Sequence, residues 1–227
     1  MTHPDNLTVN SGPSTYSAKS PEYFSGVRRD YVAELPRNPK ATFLEIGCGD
    51  GGTGALALSE GRCGLYCGVE MCPDAAERAS KRVSWILLGN VEQLELPWGP
   101  ETFDTVILSE ILEHLVDPWT TLLRIRPLLK PGGLVLASSP NISHYSVIPM
   151  LIRGEWTLAD SGRMDRTHLR WFTPRTYRAL FESCGYTVDS VREVAPLSKK
   201  ARALLMLTCG RFRHLFVSQI DLRAHRP

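Results

Sequence analysis

Short apolar runs alternate along the chain with stretches whose apolar residues recur at helical spacing. The runs predict seven strands, over residues 42–47, 64–70, 83–90, 103–109, 133–140, 186–194 and 214–224. The intervening stretches predict helices over about residues 52–60, 73–82, 117–130, 173–185 and 199–211. Strands that alternate with helices predict an α/β fold with a mostly parallel sheet covered on both faces.

The alternation stops at two places. Residues 1–20 are rich in Ser, Thr, Asn and Pro, which predicts a mobile tail before a single domain over 21–227. Residues 141–172 have no long periodic run but many polar and aromatic residues. An irregular insertion after a strand of an open α/β sheet is where ligand loops occur, so 141–172 is the predicted acceptor-binding insertion.

The charge distribution and the composition indicate which binding partners and which cellular compartment to expect. Residues 151–227 contain 14 Lys and Arg and seven Asp and Glu, although the whole chain carries only +2. This basic third allows an anionic partner, but nucleic acid is not the expected one. The six cysteines form no C-x-x-C pair, the N-terminus does not resemble a leader, and no run could span a membrane. The sequence therefore predicts a cytoplasmic protein, and a homodimer is compatible with it.

The first predicted strand ends in a loop with three alternating glycines. F-L-E-I-G-C-G-D-G contains Gly47, Gly49 and Gly51, with Glu45 inside the strand. Such a loop lets the backbone approach a ligand closely. Glu70 ends the second strand, where an acid can accept both hydroxyls of a ribose.

This pattern resembles the class I S-adenosylmethionine-dependent methyltransferases from about residue 23 onwards. The resemblance implies a Rossmann-like, doubly wound seven-stranded sheet whose last strand is antiparallel. It implies S-adenosylmethionine as the cofactor, with its methionine part over the glycine loop. The residues implied to bind it are Glu45, Gly47, Gly49, Gly51, Glu70 (ribose), Met71 (adenine face), Asn90, Val91 and Glu92 (adenine edge), and Ser109 (sulfonium end).

The stretch after the fourth strand, S-E-I-L-E-H, contains Glu110, Glu113 and His114. At positions i, i+3 and i+4 of a helical turn they would share a face, where a hard divalent cation such as Mg²⁺ could bind. His168 could complete the site. E-x-x-E-H resembles the magnesium-binding stretch of quinone O-methyltransferases and, with a later His, that of small-RNA 2′-O-methyltransferases. Two alternatives are that His114 is itself the general base or that the motif is structural.

The insertion contains further candidates for catalysis and acceptor binding. His144 is the second candidate base. Aromatic side chains could stack on an acceptor ring, and arginines could bind an anionic group. The acceptor-binding candidates are Tyr23, Tyr145, Trp156, Arg166 and Arg170.

The insertion, together with L-E-H-L-V-D-P-W, looks like one branch of these methyltransferases, which is associated with glycosyltransferases in bacterial polysaccharide synthesis. The resemblance predicts O-methylation of a saccharide or a glycosylated metabolite. A quinone, polyketide or RNA 2′-hydroxyl acceptor is the alternative. A regulatory module that binds the cofactor without transferring a methyl group is the other alternative.

Overall fold

The computed structural model describes residues 19–194 and 205–227. These described residues divide into two compact units, the first ending at Pro97 and the second beginning at Trp98. The predicted mobile tail lies almost wholly outside the described residues. So does the first part of the helix predicted over 199–211, of which residues 205–207 are described and helical.

The first unit contains three parallel strands and the helices that connect them. Its elements are α1 Arg29–Glu34, β1 Thr42–Ile46, α2 Gly52–Ser59, β2 Leu65–Glu70, α3 Pro73–Ser80 and β3 Trp85–Leu88. The strands are ordered β3-β2-β1. Glu45 on β1 pairs in register with Gly68 on β2, and Glu70 pairs with Leu88 on β3. The carboxyl ends of all three strands therefore lie at one edge.

The second unit contains the remaining strands. Its elements are β4 Phe103–Ser109, α4 Pro118–Ile125, β5 Leu129–Pro140, α5 Ile148–Ile152, α6 Pro174–Ser183, β6 Thr187–Val194 and β7 Gln219–His225. The strands are ordered β4-β5-β7-β6. β4 and β5 are parallel, whereas β7 is antiparallel to both of its neighbours. The seven-stranded, mostly parallel sheet with an antiparallel last strand is confirmed.

Local sequence signals explain where the helices of the second unit begin. The side chain of Thr173 accepts a hydrogen bond from the backbone N–H of Thr176, and Thr176 returns one to the backbone of Thr173, forming a capping box. Pro174 then occupies the first turn, where its missing N–H costs nothing. Asp117 caps α4 in the same way by accepting from Thr120. These caps fix the first residues of both helices.

Two sequence-based boundaries are wrong. P-G-G was expected to end a helix, but the strand β5 begins before it, and Gly132 (φ +73°) forms a bulge where the pairing with β4 shifts. The last strand was expected from His214, but residues Arg213–Phe216 form a 3₁₀ turn. Apolar content alone does not separate a strand from a short turn that is half buried.

Among the described residues, none of the helices combines the length and the apolar character required to cross a lipid bilayer.

Candidate functional site

The glycine loop after β1 adopts a backbone that side chains rarely allow. Gly47, Gly49 and Gly51 have φ values of +72°, +55° and +78°. A Cβ on Gly49 would lie 2.3 Å from the carbonyl oxygen of Phe24. The turn therefore favours glycine at all three positions, and Gly49 is also required by the close approach of the segment before α1.

Glu70 connects the end of β2 to this loop. Its Oε2 accepts a 2.8 Å hydrogen bond from the N–H of Gly49, and its Oε1 accepts from the N–H groups of Met71 and Cys72, each at 2.8 Å. Burial raises the pKa of Glu70, and the three N–H groups oppose that shift. The carboxylate is thus held at the carboxyl edge of the first unit, where the sequence predicts a ribose.

A second buried acid lies beneath the loop. The Tyr66 hydroxyl donates a 2.7 Å hydrogen bond to Oε2 of Glu45. Burial raises the pKa of Glu45 to about 7. Glu45 is therefore a group that can change its charge near neutral pH.

Asp50 stabilises the loop from inside, a role that the sequence analysis did not assign. Its Oδ1 accepts from the N–H of Gly52 at 3.1 Å, and its Oδ2 lies 2.8 Å from a guanidinium nitrogen of Arg82. An acid two residues before a helix is a recognisable turn signal, but its partner Arg82 comes from the end of α3 and could not be read from the sequence.

The predicted adenine-binding residues follow β2 and β3 in the same unit. Met71 is partly exposed directly after Glu70. Asn90 accepts a 2.9 Å hydrogen bond from the N–H of Glu92 on its side-chain oxygen, which shapes the turn after β3. Val91 between them is buried, and Glu92 is half buried. The first unit thus gathers the predicted cofactor residues other than Ser109.

The second unit contains a compact cluster of possible metal ligands. One ligand atom from each of Glu113, His114 and His168 lies within 4.8 Å of the others. Glu113 is 1% exposed, and neither of its carboxylate oxygens accepts a hydrogen bond of normal geometry. Burial and the nearby Glu110 both raise the pKa of Glu113. A buried carboxylate without such a hydrogen bond is costly unless a proton or a cation compensates it.

Backbone carbonyls orient both histidines of the cluster. Nδ1 of His114 lies 3.2 Å from the carbonyl oxygen of Thr167, and Nδ1 of His168 lies 3.2 Å from that of Arg163. A carbonyl oxygen only accepts, so each Nδ1 donates its proton there, and a neutral ring held in this way has its lone pair on Nε2. This is the tautomer that metal-binding histidines adopt when the other nitrogen is held by a carbonyl.

Glu110 is not one of these three clustered residues, but it lies close enough to Glu113 to raise the pKa of that carboxyl, and its role as a metal ligand stays a prediction. Its φ is +52°, and residues Leu112–His114 form a single 3₁₀ turn, so positions 110, 113 and 114 do not share an α-helical face. Oε1 of Glu110 instead accepts a 2.7 Å hydrogen bond from Gln219 on β7. Ser109, the last residue of β4, has its hydroxyl 3.2 Å from that of Ser138.

Asp165 and Thr167 support the cluster and were missed from the sequence. The Asp165 carboxylate accepts from both the N–H (2.9 Å) and the hydroxyl (2.8 Å) of Thr167, whose hydroxyl lies 3.2 Å from Nδ1 of His114. The signal was present, because D-x-T is a typical side-chain turn. What the sequence could not show is that this turn contacts a residue 53 positions earlier.

His144 caps a short turn in the insertion. Its Nδ1 accepts a 3.2 Å hydrogen bond from the N–H of Ser146 and lies 2.8 Å from the Ser146 hydroxyl. Burial, and then the charge of Arg163, lower the pKa of His144. His144 is therefore neutral near pH 7 with its Nδ1 lone pair occupied by the cap. Its role as a base remains a prediction.

The predicted acceptor-binding residues occupy different places. Tyr23 belongs to the first unit, where Lys19 lies over its ring at 4.6 Å. In the second unit, Tyr145 and Trp156 are exposed, and Trp156 meets Trp171 edge to face with ring centres 5.3 Å apart. Arg166 pairs with Asp160 at 2.7 Å, and the Arg170 guanidinium donates to backbone carbonyls, including that of Val116. The two arginines therefore have local partners.

Comparison with known proteins agrees with this architecture. A family model described as a methyltransferase domain matches residues 22–191. Among solved structures, a SAM-dependent methyltransferase from Archaeoglobus fulgidus is 21% identical with a TM-score of 0.64, covering 90% of this chain and 97% of that one. One from Mesorhizobium loti is 18% identical with a TM-score of 0.62, covering 87% and 96%.

Among curated proteins, a ubiquinone biosynthesis O-methyltransferase of Cereibacter sphaeroides is 32% identical over 166 residues. The match covers 69% of this chain and 64% of that relative, so the chain spans just under two thirds of its length.

The fold and the family match together show that the chain belongs to the methyltransferase-domain family and has the class I S-adenosylmethionine-dependent methyltransferase fold.

Proposed function

We propose that this protein transfers the methyl group of S-adenosylmethionine to a hydroxyl of an aromatic acceptor of the phenol or quinol class. The observation that carries the proposal is the cluster of Glu113, His114 and His168, which gives the second unit a means of activating a hydroxyl. Ubiquinone biosynthesis, named for the curated relatives, supports an aromatic acceptor.

In this proposal the first unit holds the cofactor. Oε1 of Glu70 already accepts from two N–H groups and Oε2 from one, so the remaining acceptor site on Oε2 would take one ribose hydroxyl. The positive φ values of Gly47, Gly49 and Gly51 keep side chains away from the methionine part. Met71, Asn90, Val91 and Glu92 would contact the adenine, while Ser109 stays a predicted cofactor residue of the second unit. Glu45, bonded to Tyr66, would support the strand that precedes the loop.

The cluster in the second unit fits a divalent cation. Glu113 is buried and lacks hydrogen bonds of normal geometry, and both histidines present the tautomer with its lone pair on Nε2. Two imidazoles and one carboxylate suit Mn²⁺, Fe²⁺ or Zn²⁺ better than the Mg²⁺ that the sequence analysis expected, because Mg²⁺ prefers oxygen ligands. A cation bound there would lower the pKa of an acceptor hydroxyl.

The acceptor's own acidity favours a phenol over a sugar. A phenolic hydroxyl has a pKa of about 10, so removing its proton near neutral pH requires only modest assistance. A sugar alcohol is far less acidic and would demand more of the same cluster. Trp156 and Tyr145 provide exposed aromatic faces on which a planar ring can stack. Arg166 and Arg170 would contact an acidic substituent after exchanging their present partners.

The proposal is tested with one panel of acceptors. Methyl transfer from labelled S-adenosylmethionine is measured with dihydroxybenzoates and short-chain quinols, with mono- and oligosaccharides, and with RNA oligonucleotides. We expect kcat/KM to be at least about tenfold higher for the dihydroxylated aromatic compounds. An equal or higher kcat/KM for a saccharide or for RNA would overturn the proposal that the acceptor is aromatic.

The contribution of the cluster is tested separately by metal analysis. Mn²⁺ and Zn²⁺ are titrated into wild-type protein and into a Glu113→Gln variant after treatment with a chelator. We expect one ion per chain in the wild type and none in the variant, with cofactor binding unchanged in both. Wild-type protein that binds no ion would overturn the proposal that a cation binds at this cluster. His114 would then be the candidate base.

A further inference from the structure

The two ring nitrogens of His144 have different surroundings. The N–H of Ser146 donates to Nδ1 at 3.2 Å, and the Ser146 hydroxyl lies 2.8 Å from the same nitrogen. Nδ1 is therefore an acceptor, and the proton of the neutral ring is on Nε2. In the described part of the chain, no residue accepts a hydrogen bond from this Nε2–H. The half-buried ring thus has a donor available for a ligand.

Arg163 fixes the direction of the Ser146 hydroxyl. Nη1 of Arg163 donates to Oγ of Ser146 at 3.2 Å, because a guanidinium can only donate. The hydroxyl is then free to donate its own proton to Nδ1 of His144. The guanidinium is itself held by the backbone carbonyls of Asn141 and Ser218, at 2.6 and 3.2 Å. The cap and the guanidinium together favour the Nε2–H tautomer of His144.

This arrangement makes His144 unsuited to act as a general base. A base takes up its proton on a lone pair, and the neutral ring has its only nitrogen lone pair on Nδ1, where the Ser146 N–H already donates. A proton on Nδ1 would set two N–H groups against each other. In agreement with this, burial and the charge of Arg163 lower the pKa of His144. The ring is instead able to donate from Nε2.

Arg163 also connects His144 with the cluster of possible metal ligands. Its backbone carbonyl lies 3.2 Å from Nδ1 of His168, while its guanidinium contacts the residue that caps against His144. One arginine therefore orients both rings, and in opposite tautomers. The ring of Tyr145 is 53% exposed, and its centre lies 4.4 Å from that of His144. An N–H donor thus lies beside an exposed aromatic face, in the unit that contains the cluster.

We propose that the Nε2–H of His144 donates a hydrogen bond to a second oxygen of the methyl acceptor. With the acceptor's ring stacked on Tyr145, His144 would select molecules that carry a further hydroxyl or a carboxylate besides the hydroxyl that is methylated. A molecule without that oxygen leaves the donor without a partner, which costs affinity. The aromatic ring rests on the proposed function, whereas donation to an oxygen applies to any hydroxylated acceptor.

The tautomer of His144 is tested by NMR without any acceptor. Wild-type protein is labelled with ¹⁵N in its histidines, and the signals of His144 are identified by their loss in His144→Asn. We expect the Nε2–H tautomer near neutral pH. An Nδ1–H tautomer, or a ring protonated on both nitrogens, would overturn the proposal whichever acceptor is methylated.

Two substitutions separate donation to the acceptor from capping and from proton transfer. His144→Gln keeps an N–H donor as far along the side chain as Nε2, whereas His144→Asn keeps a cap acceptor at the place of Nδ1 and has no donor beyond it. Neither side chain titrates. The value of kcat/KM is measured for a dihydroxybenzoate and for two analogues, one without its second hydroxyl and one without its carboxylate. Thermal unfolding verifies that both variants are folded.

We expect the wild type to use at least one analogue about tenfold less well than the dihydroxybenzoate. His144→Asn should lose this preference, and His144→Gln should keep most of it. A wild type without the preference, or a His144→Asn variant that keeps it, would overturn the proposal. So would a kcat that falls equally for all three acceptors in both variants, because that is the result expected for a general base. Transfer to a saccharide alone would overturn the proposed function, and deoxy analogues of that saccharide would then replace the two aromatic analogues in the same comparison.

Discussion

The backbone N–H of Gly49 donates a 2.8 Å hydrogen bond to Oε2 of Glu70, joining the glycine loop after β1 to the last residue of β2. The two residues are 21 positions apart, yet each was assigned to the same cofactor from its own local pattern. Their contact explains how the first unit can hold both the loop and the acid in fixed positions. The glycine loop and Glu70, joined by this hydrogen bond, would together contact the methionine and ribose parts of the cofactor.

Replacing Gly49 should separate the requirement for space from the requirement for a positive φ. Gly49→Ala places a Cβ 2.3 Å from the Phe24 carbonyl oxygen and strains a φ of +55°. We expect a loss of about 1–3 kcal/mol in the free energy of unfolding and affinity for S-adenosylhomocysteine at least about tenfold lower. Calorimetric titration and urea unfolding measure both quantities.

Gly61→Ala is the matched control for that substitution. Gly61 has a similar φ of +67°, but a Cβ there would meet nothing within 4 Å. It should cost about 1 kcal/mol of stability and leave the cofactor affinity unchanged. Equal losses of affinity in the two variants would show that backbone strain alone, and not the space beside Phe24, determines binding.

The buried carboxyl of Glu45 should make stability depend on pH. Its pKa is about 7 in the folded protein, whereas the ordinary value of 4.5 applies to the unfolded chain. Between pH 4.5 and 7 the folded state therefore holds a proton that the unfolded state releases. The free energy of unfolding should therefore fall as pH rises from about 4.5 to 7, by up to about 3 kcal/mol from this group.

Glu45→Gln should remove this dependence, because the amide oxygen can still accept the Tyr66 hydrogen bond but does not titrate. Urea unfolding of the cofactor-free protein at several pH values between 5 and 8 measures the difference between wild type and variant. We expect the wild type to lose stability relative to the variant as pH rises. Parallel profiles would contradict the raised pKa.

Asp165 should affect metal binding without contacting the metal. Its carboxylate fixes Thr167, whose carbonyl sets the tautomer of His114. Asp165→Asn keeps the shape of the side chain but makes it a weaker hydrogen-bond acceptor for Thr167. We expect the affinity for Mn²⁺ or Zn²⁺ to fall by about 10- to 100-fold. Asp160→Asn is the control, since Asp160 is exposed and forms an ion pair with Arg166. An unchanged affinity in Asp165→Asn would show that the histidines are oriented without it.

Features that depend on neighbouring residues in the chain could be predicted from the sequence. β4 over Phe103–Ser109 has the predicted bounds, and the start of α6 follows from Thr173 and Pro174. The rings of His114 and His168 have centres 4.7 Å apart, and their role as metal ligands stays a prediction. The position of Glu110 could not be foreseen, because it depends on a left-handed backbone and on Gln219, 109 residues later. Phe24 and Arg82 contribute through contacts between distant segments, for which no local pattern exists. The turn from Asp165 to Thr167 is local, but its contact with His114 is not.

The most direct test of the central claim is a single-turnover reaction with S-adenosylmethionine labelled with ¹³C in its methyl group and a dihydroxybenzoate acceptor, followed by NMR. We expect the label to appear as a methoxy carbon on the aromatic ring, and Glu70→Gln to slow its appearance by weakening cofactor binding. Label on carbon or nitrogen, or no transfer from protein that binds S-adenosylhomocysteine tightly, would contradict the account.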